Sequence, residues 1–311
     1  MRRQSLRPLV LPAVAALVCG FFVANATAQT PAAVKPQALS LGIVTEFNRA
    51  QIAENFRDFV RYLAARLSAA SDIEGRVVIA PTLFQLARLI EQKKVDFYME
   101  SPYPTYQVND VHGVARLLLR RWKGGMAEYR GLIFTKTNGE INRLEDLRGK
   151  VLVFEDPEST SGHFLPRSFL TRKGFKFTDK SRFNPDASST DIGYLFANSP
   201  EKVVDWVLTK KVAAGAFSDD DYARLDAKKR SDITILAETE RLPRHLLSVR
   251  KDFAPALADQ LEKTLLSMHE DEQGRKILKK ADDTTKFDRL PEGQAGLRRK
   301  LSEIFHTPRK N

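Results

Sequence analysis

Apolar and polar positions along this chain alternate between two rhythms. Residues 39–45 read as a short strand, and Ile52, Phe56, Phe59, Val60, Leu63 and Leu67 then fall on one face of a helix. A strand at 76–80, a helix at 83–92 and a strand at 95–99 continue the pattern. It repeats after Gly149, with a strand at 150–154, helices at about 162–172 and 200–210, and a strand at 212–217. Strand–helix alternation of this kind predicts a parallel sheet with helices on both faces. Because it occurs twice, the chain is expected to be α/β, with two Rossmann-like lobes. Residues 131–135 and 233–238 are placed to run between the halves as crossing hinge segments. Residues 245–253 and helices at about 254–268 and 292–306 return to the first half. The expected division is lobe 1 over 38–133 plus 240–311, and lobe 2 over 134–239.

The start of the chain reads as an address. Arg2, Arg3 and Arg7 precede an apolar run over 9–24, and Ala26-Thr27-Ala28 supplies small residues for cleavage after Ala28. The run is shorter than the ~20 residues of a spanning helix, and Pro12 interrupts it. A signal peptide over 1–28 and a loose leader over 29–37 are therefore expected, with periplasmic localisation. A retained anchor is the alternative, and Cys19 raises lipoprotein processing, although Val18 before it is bulkier than that processing favours. Cleavage would leave 283 residues without the single cysteine, so a mature chain held by its own core. The net charge of +11 would fall to +8, which suits an anionic ligand or an acidic surface. Nucleic acid is not expected as a partner, because no basic stripe interleaved with aromatics is present.

The most informative stretch is Asp156-Pro157-Glu158-Ser159-Thr160-Ser161-Gly162, between the apolar run 151–154 and an amphipathic segment from His163. Strand, polar turn and helix start make an anion cradle, because free amides and the helix dipole point outward there. Hydroxyls add neutral donors that follow tetrahedral oxygens. An N-cap with solvated neighbours explains the same residues, and both readings stand at this point. Pro166 leaves the carbonyl of Gly162 without its usual helical partner, so the first turn is expected to deviate.

Three passages together resemble the periplasmic substrate-binding proteins of phosphonate, phosphite and phosphate ABC importers. They are Gly42-Ile43-Val44-Thr45 with its helix, Lys94-Val95-Asp96-Phe97-Tyr98-Met99-Glu100-Ser101-Pro102-Tyr103, and the 156–162 turn with Phe164-Leu165-Pro166. The segment 144–150 is similar to what that family places before the turn's strand, and the resemblance spans roughly 38–280. It implies a type II periplasmic-binding-protein fold closing on a small oxyanion, with a permease in the inner membrane as partner and a monomeric chain. Carried over by residue, Ser159, Thr160, Ser161 and the amides of Gly162 and His163 match the oxyanion site. Leu83, Glu100 and Ala213 stand where aminophosphonate binders use aromatic or acidic groups, and Glu201 matches a retained carboxylate. Glu100 is then either a ligand contact or a pocket-edge acid paired with an arginine.

Further pocket residues read from position are Ser101 and Tyr103, at the end of the third strand, and Ser199 and Asp219 at helix starts. Capping explains Ser199 and Asp219 equally well. Arg120-Arg121-Trp122-Lys123 and Glu128-Tyr129-Arg130 flank the first crossing; they could steer anions or set the hinge, and the favoured reading is a solvated basic face. Catalysis has little support, since Ser161 and His163 lack a nucleophile-elbow context. The five histidines, at 112, 163, 245, 269 and 306, lack metal-ligand spacing, and no Walker-type loop is present. No cofactor or metal is expected. The leading function is the ligand-capturing component of an ABC importer; the alternatives are a sensor input and an exported phosphoesterase.

Overall fold

A computed structural model describes residues 38–67, 73–180 and 190–306. The leader, its cleavage site and residues 29–37 lie outside the described residues. In chain order, β1 (Ala38–Val44), α1 (Arg49–Leu67), β2 (Glu74–Ala80), α2 (Leu83–Glu91), β3 (Phe97–Glu100), α3 (Pro102–Tyr106) and β4 (Ala115–Lys123) come first. The short β5 (Glu128–Tyr129) leads into β6 (Gly131–Lys136), β7 (Val151–Phe154), α4 (Leu165–Arg172), β8 (Phe177–Asp179) and β9 (Ile192–Phe196). Next are α5 (Pro200–Leu208), β10 (Ala214–Ser218), α6 (Asp219–Arg224), α7 (Ala227–Ser231), β11 (Ile233–Glu238) and the short β12 (Leu242–Pro243). The chain closes with β13 (His245–Arg250), α8 (Pro255–Ser267), α9 (Glu272–Lys280), β14 (Thr284–Asp288) and α10 (Gly293–Phe305).

The strands form two six-stranded sheets, ordered β14-β4-β13-β3-β1-β2 and β11-β6-β10-β7-β9-β8. Helices cover both, as the alternation predicts, but neither sheet is purely parallel. β1 pairs in parallel with β2 and β3, whereas β13 runs antiparallel to both β3 and β4. In the second sheet β7, β8, β9 and β10 are parallel neighbours, and β6 lies antiparallel to β10 and β11. β13 and β6, which enter from the other lobe, arrive reversed; β14, at the edge of the first sheet, is also antiparallel to its neighbour β4.

The crossing itself lies elsewhere than expected. Residues 131–135 and 233–238 do not run between the halves; they pair with each other inside the second sheet. The connection is a two-stranded ribbon, β5 against β12, with Leu242 opposite Tyr129 and Pro243 opposite Glu128. Apolar residues there had no short-range feature to separate a sheet strand from a bridge.

Burial accounts for the helices. Phe56, Phe59, Val60, Leu63 and Leu67 of α1 are buried, with Ile52 packed at the edge. They join Leu39, Leu41, Phe97, Leu247, Leu261 and Phe287 in one face of the first sheet. Leu83, Leu86, Ile90, Val95 and Tyr98 fill the other. A further cluster joins the lobes: Tyr103 stacks face to face on Phe164, and Phe305 of α10 meets both rings edge-on. Ser168 Oγ of α4 donates to the carbonyl of Ile304 at 3.0 Å. Arg120 and Arg121, expected on a solvated face, are instead buried, and Arg130 is half-buried. Arg120 is clamped by Glu128 (3.1 Å), eight residues on, and by Asp288 (2.8 and 2.6 Å), a partner far away in sequence that no local pattern reveals.

Candidate ligand-binding site

The turn after β7 is tied down by its own side chains. Asp156 Oδ1 accepts from the amide of Glu158 at 2.8 Å, and Ser159 Oγ accepts from the amide of Gly162 at 2.9 Å. The Ser159 hydroxyl in turn donates to Glu155 Oε2 at 2.8 Å. The helix then starts with a wide turn: the amide of Phe164 reaches back five residues to the carbonyl of Ser159 at 3.1 Å. Pro166 is the reason, since its missing N–H frees the Gly162 carbonyl. That carbonyl accepts instead from the amide of Glu155 at 3.1 Å, closing the turn against the end of β7. A side chain at Gly162 would place its Cβ 2.5 Å from Glu155 Oε2 and 2.9 Å from Ser159 Oγ, so close approach requires glycine.

His163 is a strut beneath this turn. Its Nδ1 lies 3.0 Å from the carbonyl of Pro157, which only accepts, so Nδ1 carries the proton. Nε2 then accepts from Arg167 at 3.4 Å. The ring is buried against Phe154, Phe164 and Phe196, and burial pushes its pKa down to about 4.

Thr160 bridges the lobes. Its Oγ1 accepts from the amide of Tyr103 at 2.9 Å and donates to Ser101 Oγ at 3.0 Å. The hydroxyl of Tyr129, from the crossing ribbon, joins those of Thr160, Ser101 and Ser161, and burial raises its pKa so that it stays a phenol. Hydroxyls from both lobes and from the ribbon thus meet at one point.

Around this cluster lies a cavity of about 390 Å³. Val44, Glu100, Glu155 and Ser218, which line it, stand at or just beyond the carboxyl ends of β1, β3, β7 and β10. Arg244 enters directly after β12, its guanidinium 4.6 Å from the centre of the Tyr129 ring and its Nη2 donating to Asp220 at 3.2 Å. Its Nε is buried with no acceptor among the described residues. His245 follows. Burial and the neighbouring cations Arg121 and Arg244 push its pKa well below the usual range, so it is neutral. Arg121 donates to its Nδ1 at 3.2 Å, and an arginine can only donate, so the proton sits on Nε2. Arg121 is itself fixed by Thr284 Oγ1 (2.8 Å) and the carbonyls of Ala281 and Asp282 (3.1 and 2.9 Å). Burial pushes the carboxyls of Glu100 and Glu155 up to about 7 and raises that of Glu158.

Of the residues expected in the site, Glu100, Ser101, Ser159, Thr160 and Ser161 line the cavity, as does the rim residue Leu83. Gly162 and His163 stand behind it, and Tyr103 packs on Phe164 with only its amide turned to Thr160. Ser199 caps α5, accepting from the amide of Lys202 at 3.3 Å and donating to Glu201 at 2.6 Å. Asp219 holds the crossing: it accepts from the amide of Arg130 at 3.1 Å and pairs with Arg241 at 3.2 Å. Neither lines the cavity, nor do Glu201 and Ala213. Tyr129, Glu155, Arg244 and His245 do line it and were not expected there. Their one sequence signal is position, next to the crossings or one residue before the hydroxyl turn.

Two α/β lobes on a ribbon, with a polar cavity at the carboxyl ends of their strands, define the type II periplasmic binding fold. Among solved structures, XAC2383 from Xanthomonas citri bound to chloride ion is similar at 26% identity and a TM-score of 0.76, over 86% of this chain and 96% of that one. The same protein bound to ATP aligns at 24% identity and a TM-score of 0.74, over 86% and 99%. PhnD1 from Prochlorococcus marinus in complex with methylphosphonate shares the fold at 16% identity and a TM-score of 0.62, over 88% and 99%. The model of the ABC transporter phosphonate periplasmic substrate-binding protein family matches residues 41–291, and the chain belongs to that family.

Proposed function

We propose that this chain captures a tetrahedral oxyanion of the phosphonate class in the cavity between its lobes and delivers it to an ABC permease. The ligand is received by the hydroxyls of Ser101, Tyr129 and Ser161, with Thr160 positioning them by donating its own proton to Ser101, by the Nε2–H of neutral His245 and by the guanidinium of Arg244. The observation that carries this reading is the Arg244 Nε, a cationic donor buried at the cavity with no acceptor among the described residues. Such a group costs about 1–3 kcal/mol unless an anion meets it. The chloride in the Xanthomonas relative fits an anion site in this fold. Hydroxyls and a neutral imidazole suit a tetrahedral head, because they supply several directed donors without adding charge. The ribbon is the hinge: a ligand that prefers the closed arrangement shifts the population toward it. The basic, apolar first 28 residues act as a cleaved export signal, giving a periplasmic, monomeric protein that binds without turning over its ligand.

Calorimetric titration with methylphosphonate, phosphite and phosphate tests the reading. Ser161→Ala is expected to weaken binding about 10- to 150-fold, the worth of one hydrogen bond to a charged group, and Thr160→Val is expected to weaken it as well, by releasing the Ser101 hydroxyl from its place. Parent-like affinity of both variants for every oxyanion would remove the hydroxyl cluster from the site.

A further inference from the structure

The cavity holds more acids than bases. Glu100, Glu155, Asp156, Glu158 and Asp221 line it, against Arg224 and Arg244. That balance opposes a fully ionised ligand, so the acids need a purpose other than attraction. Glu155 is the acid joined to the hydroxyl turn, through the 2.8 Å bond from Ser159 to its Oε2, and the bare Cα of Gly162 leaves it room there. The charged groups that act on it are Asp156 on its own turn, Asp221 of α6 and Arg244 after β12. Glu100, Glu158, Arg224 and neutral His245 share the same cavity. Burial outweighs Arg244 and Ser159, so this carboxyl exchanges its proton near neutrality.

We propose, resting on the oxyanion reading above, that Glu155 reads the ligand's proton: it shares one with an acidic oxyanion carrying a P–OH and disfavours a sulfonate of the same shape. A phosphonate monoanion and a sulfonate have the same charge and similar tetrahedral heads; they differ by one hydrogen. Facing ionised Glu155, the P–OH donates to the carboxylate, whereas a sulfonate oxygen sets lone pair against lone pair. The sulfonate is accommodated only when Glu155 takes a proton from solvent. The phosphonate brings that proton itself. Glu155 is a specificity-determining residue here, in addition to supporting the turn.

The test is calorimetry of methylphosphonate and methanesulfonate binding between pH 6 and pH 8.5. For the parent, methanesulfonate affinity is expected to fall about tenfold per pH unit above the carboxyl's titration, the signature of one proton taken up. At pH 8, heats in two buffers of different ionisation enthalpy are expected to report uptake of about one proton per methanesulfonate bound. Glu155→Gln presents an N–H donor at every pH, so its methanesulfonate affinity is expected to lose this slope and the preference for phosphonate to shrink. A flat pH profile for the parent, or a slope retained in Glu155→Gln, overturns the proposal. Absence of proton uptake by the parent overturns the proposal even if the variant fails to fold. Because Glu100 titrates in the same range, Glu100→Gln is expected to keep both the slope and the uptake; their loss in that variant instead overturns the assignment to Glu155. Failure of both ligands to bind at any pH would instead remove the underlying oxyanion reading.

Discussion

Replacing Arg244 with methionine removes a guanidinium while keeping most of the stem that lies over the Tyr129 ring. Three terms change stability. The cation–π contact at 4.6 Å is lost, worth about 0.5–2 kcal/mol. The 3.2 Å bond to Asp220 is lost too, but that carboxylate keeps Arg224 at 3.0 Å, which reduces the cost. Against these, a buried Nε without an acceptor disappears, recovering about 1–3 kcal/mol. The terms have opposite signs and similar sizes, so the ligand-free protein should change by no more than about 1 kcal/mol, or ~2–4 °C in Tm. Binding has no such offset. Loss of one charged hydrogen bond costs about 1.5–3 kcal/mol, hence ~10- to 150-fold in Kd for methylphosphonate. Scanning calorimetry without ligand and titration calorimetry with it give the two numbers. A Kd within threefold of the parent, or a Tm lowered by more than about 8 °C, refutes the reasoning, because Arg244 would then be holding the fold rather than an anion.

Gly162→Ala should destabilise by about 1–3 kcal/mol, as for other overpacked sites, because its Cβ would lie 2.5 Å from Glu155 Oε2; a thermal melt at parent-like Tm would contradict it. Glu100→Gln should gain stability relative to the parent as pH rises. The folded pKa of Glu100 is raised to about 7, so its stabilising contribution is complete below the unfolded value of 4.5 and is lost as pH climbs through about 7. Melting both proteins between pH 4.5 and pH 8 checks this, and a gap that stays constant or runs the other way counts against it. His163→Gln should do the reverse at the acid end. Its folded pKa is lowered to about 4, so the parent's neutral-imidazole contribution is present above 6.5 and lost as pH falls toward 4, a loss the variant escapes. Parallel melting curves for the two proteins from pH 7 to pH 4 would sink this.

Periodicity made the lobes legible, because burying one helix face demands a repeat that Phe56, Phe59 and Leu63 display. The hydroxyl turn was legible for a similar reason: strand, Ser-Thr-Ser-Gly and Pro166 are neighbours in the chain. What was hidden depends on distant partners. Arg121 looks like surface until Thr284 and Asp282 are brought beside it, and its bond to Nδ1 is what leaves the proton of buried, neutral His245 on Nε2. Arg244 and Tyr129 are single polar residues beside two-residue strands, too short for any rhythm. The elements α9 and β14 lie in a charged stretch, and α9 buries Gly274 and Leu278, too few apolar positions to display a rhythm.

The ribbon has a consequence for anyone who would retune this protein. Tyr129 belongs to one of its strands and Arg244 follows the other, so on the proposed reading the hinge itself lines the ligand cavity. Most designs for altered specificity assume that a pocket can be edited while the machinery around it is left alone. Here that separation does not exist on the ribbon side. A change at either residue is then expected to alter how readily the lobes swing as well as what they grip, and to register in arrival and departure rates as well as in equilibrium affinity. Edits confined to the lip formed by Val44 and Leu83 avoid that entanglement, which makes the lip the natural starting point for building a reporter from this scaffold.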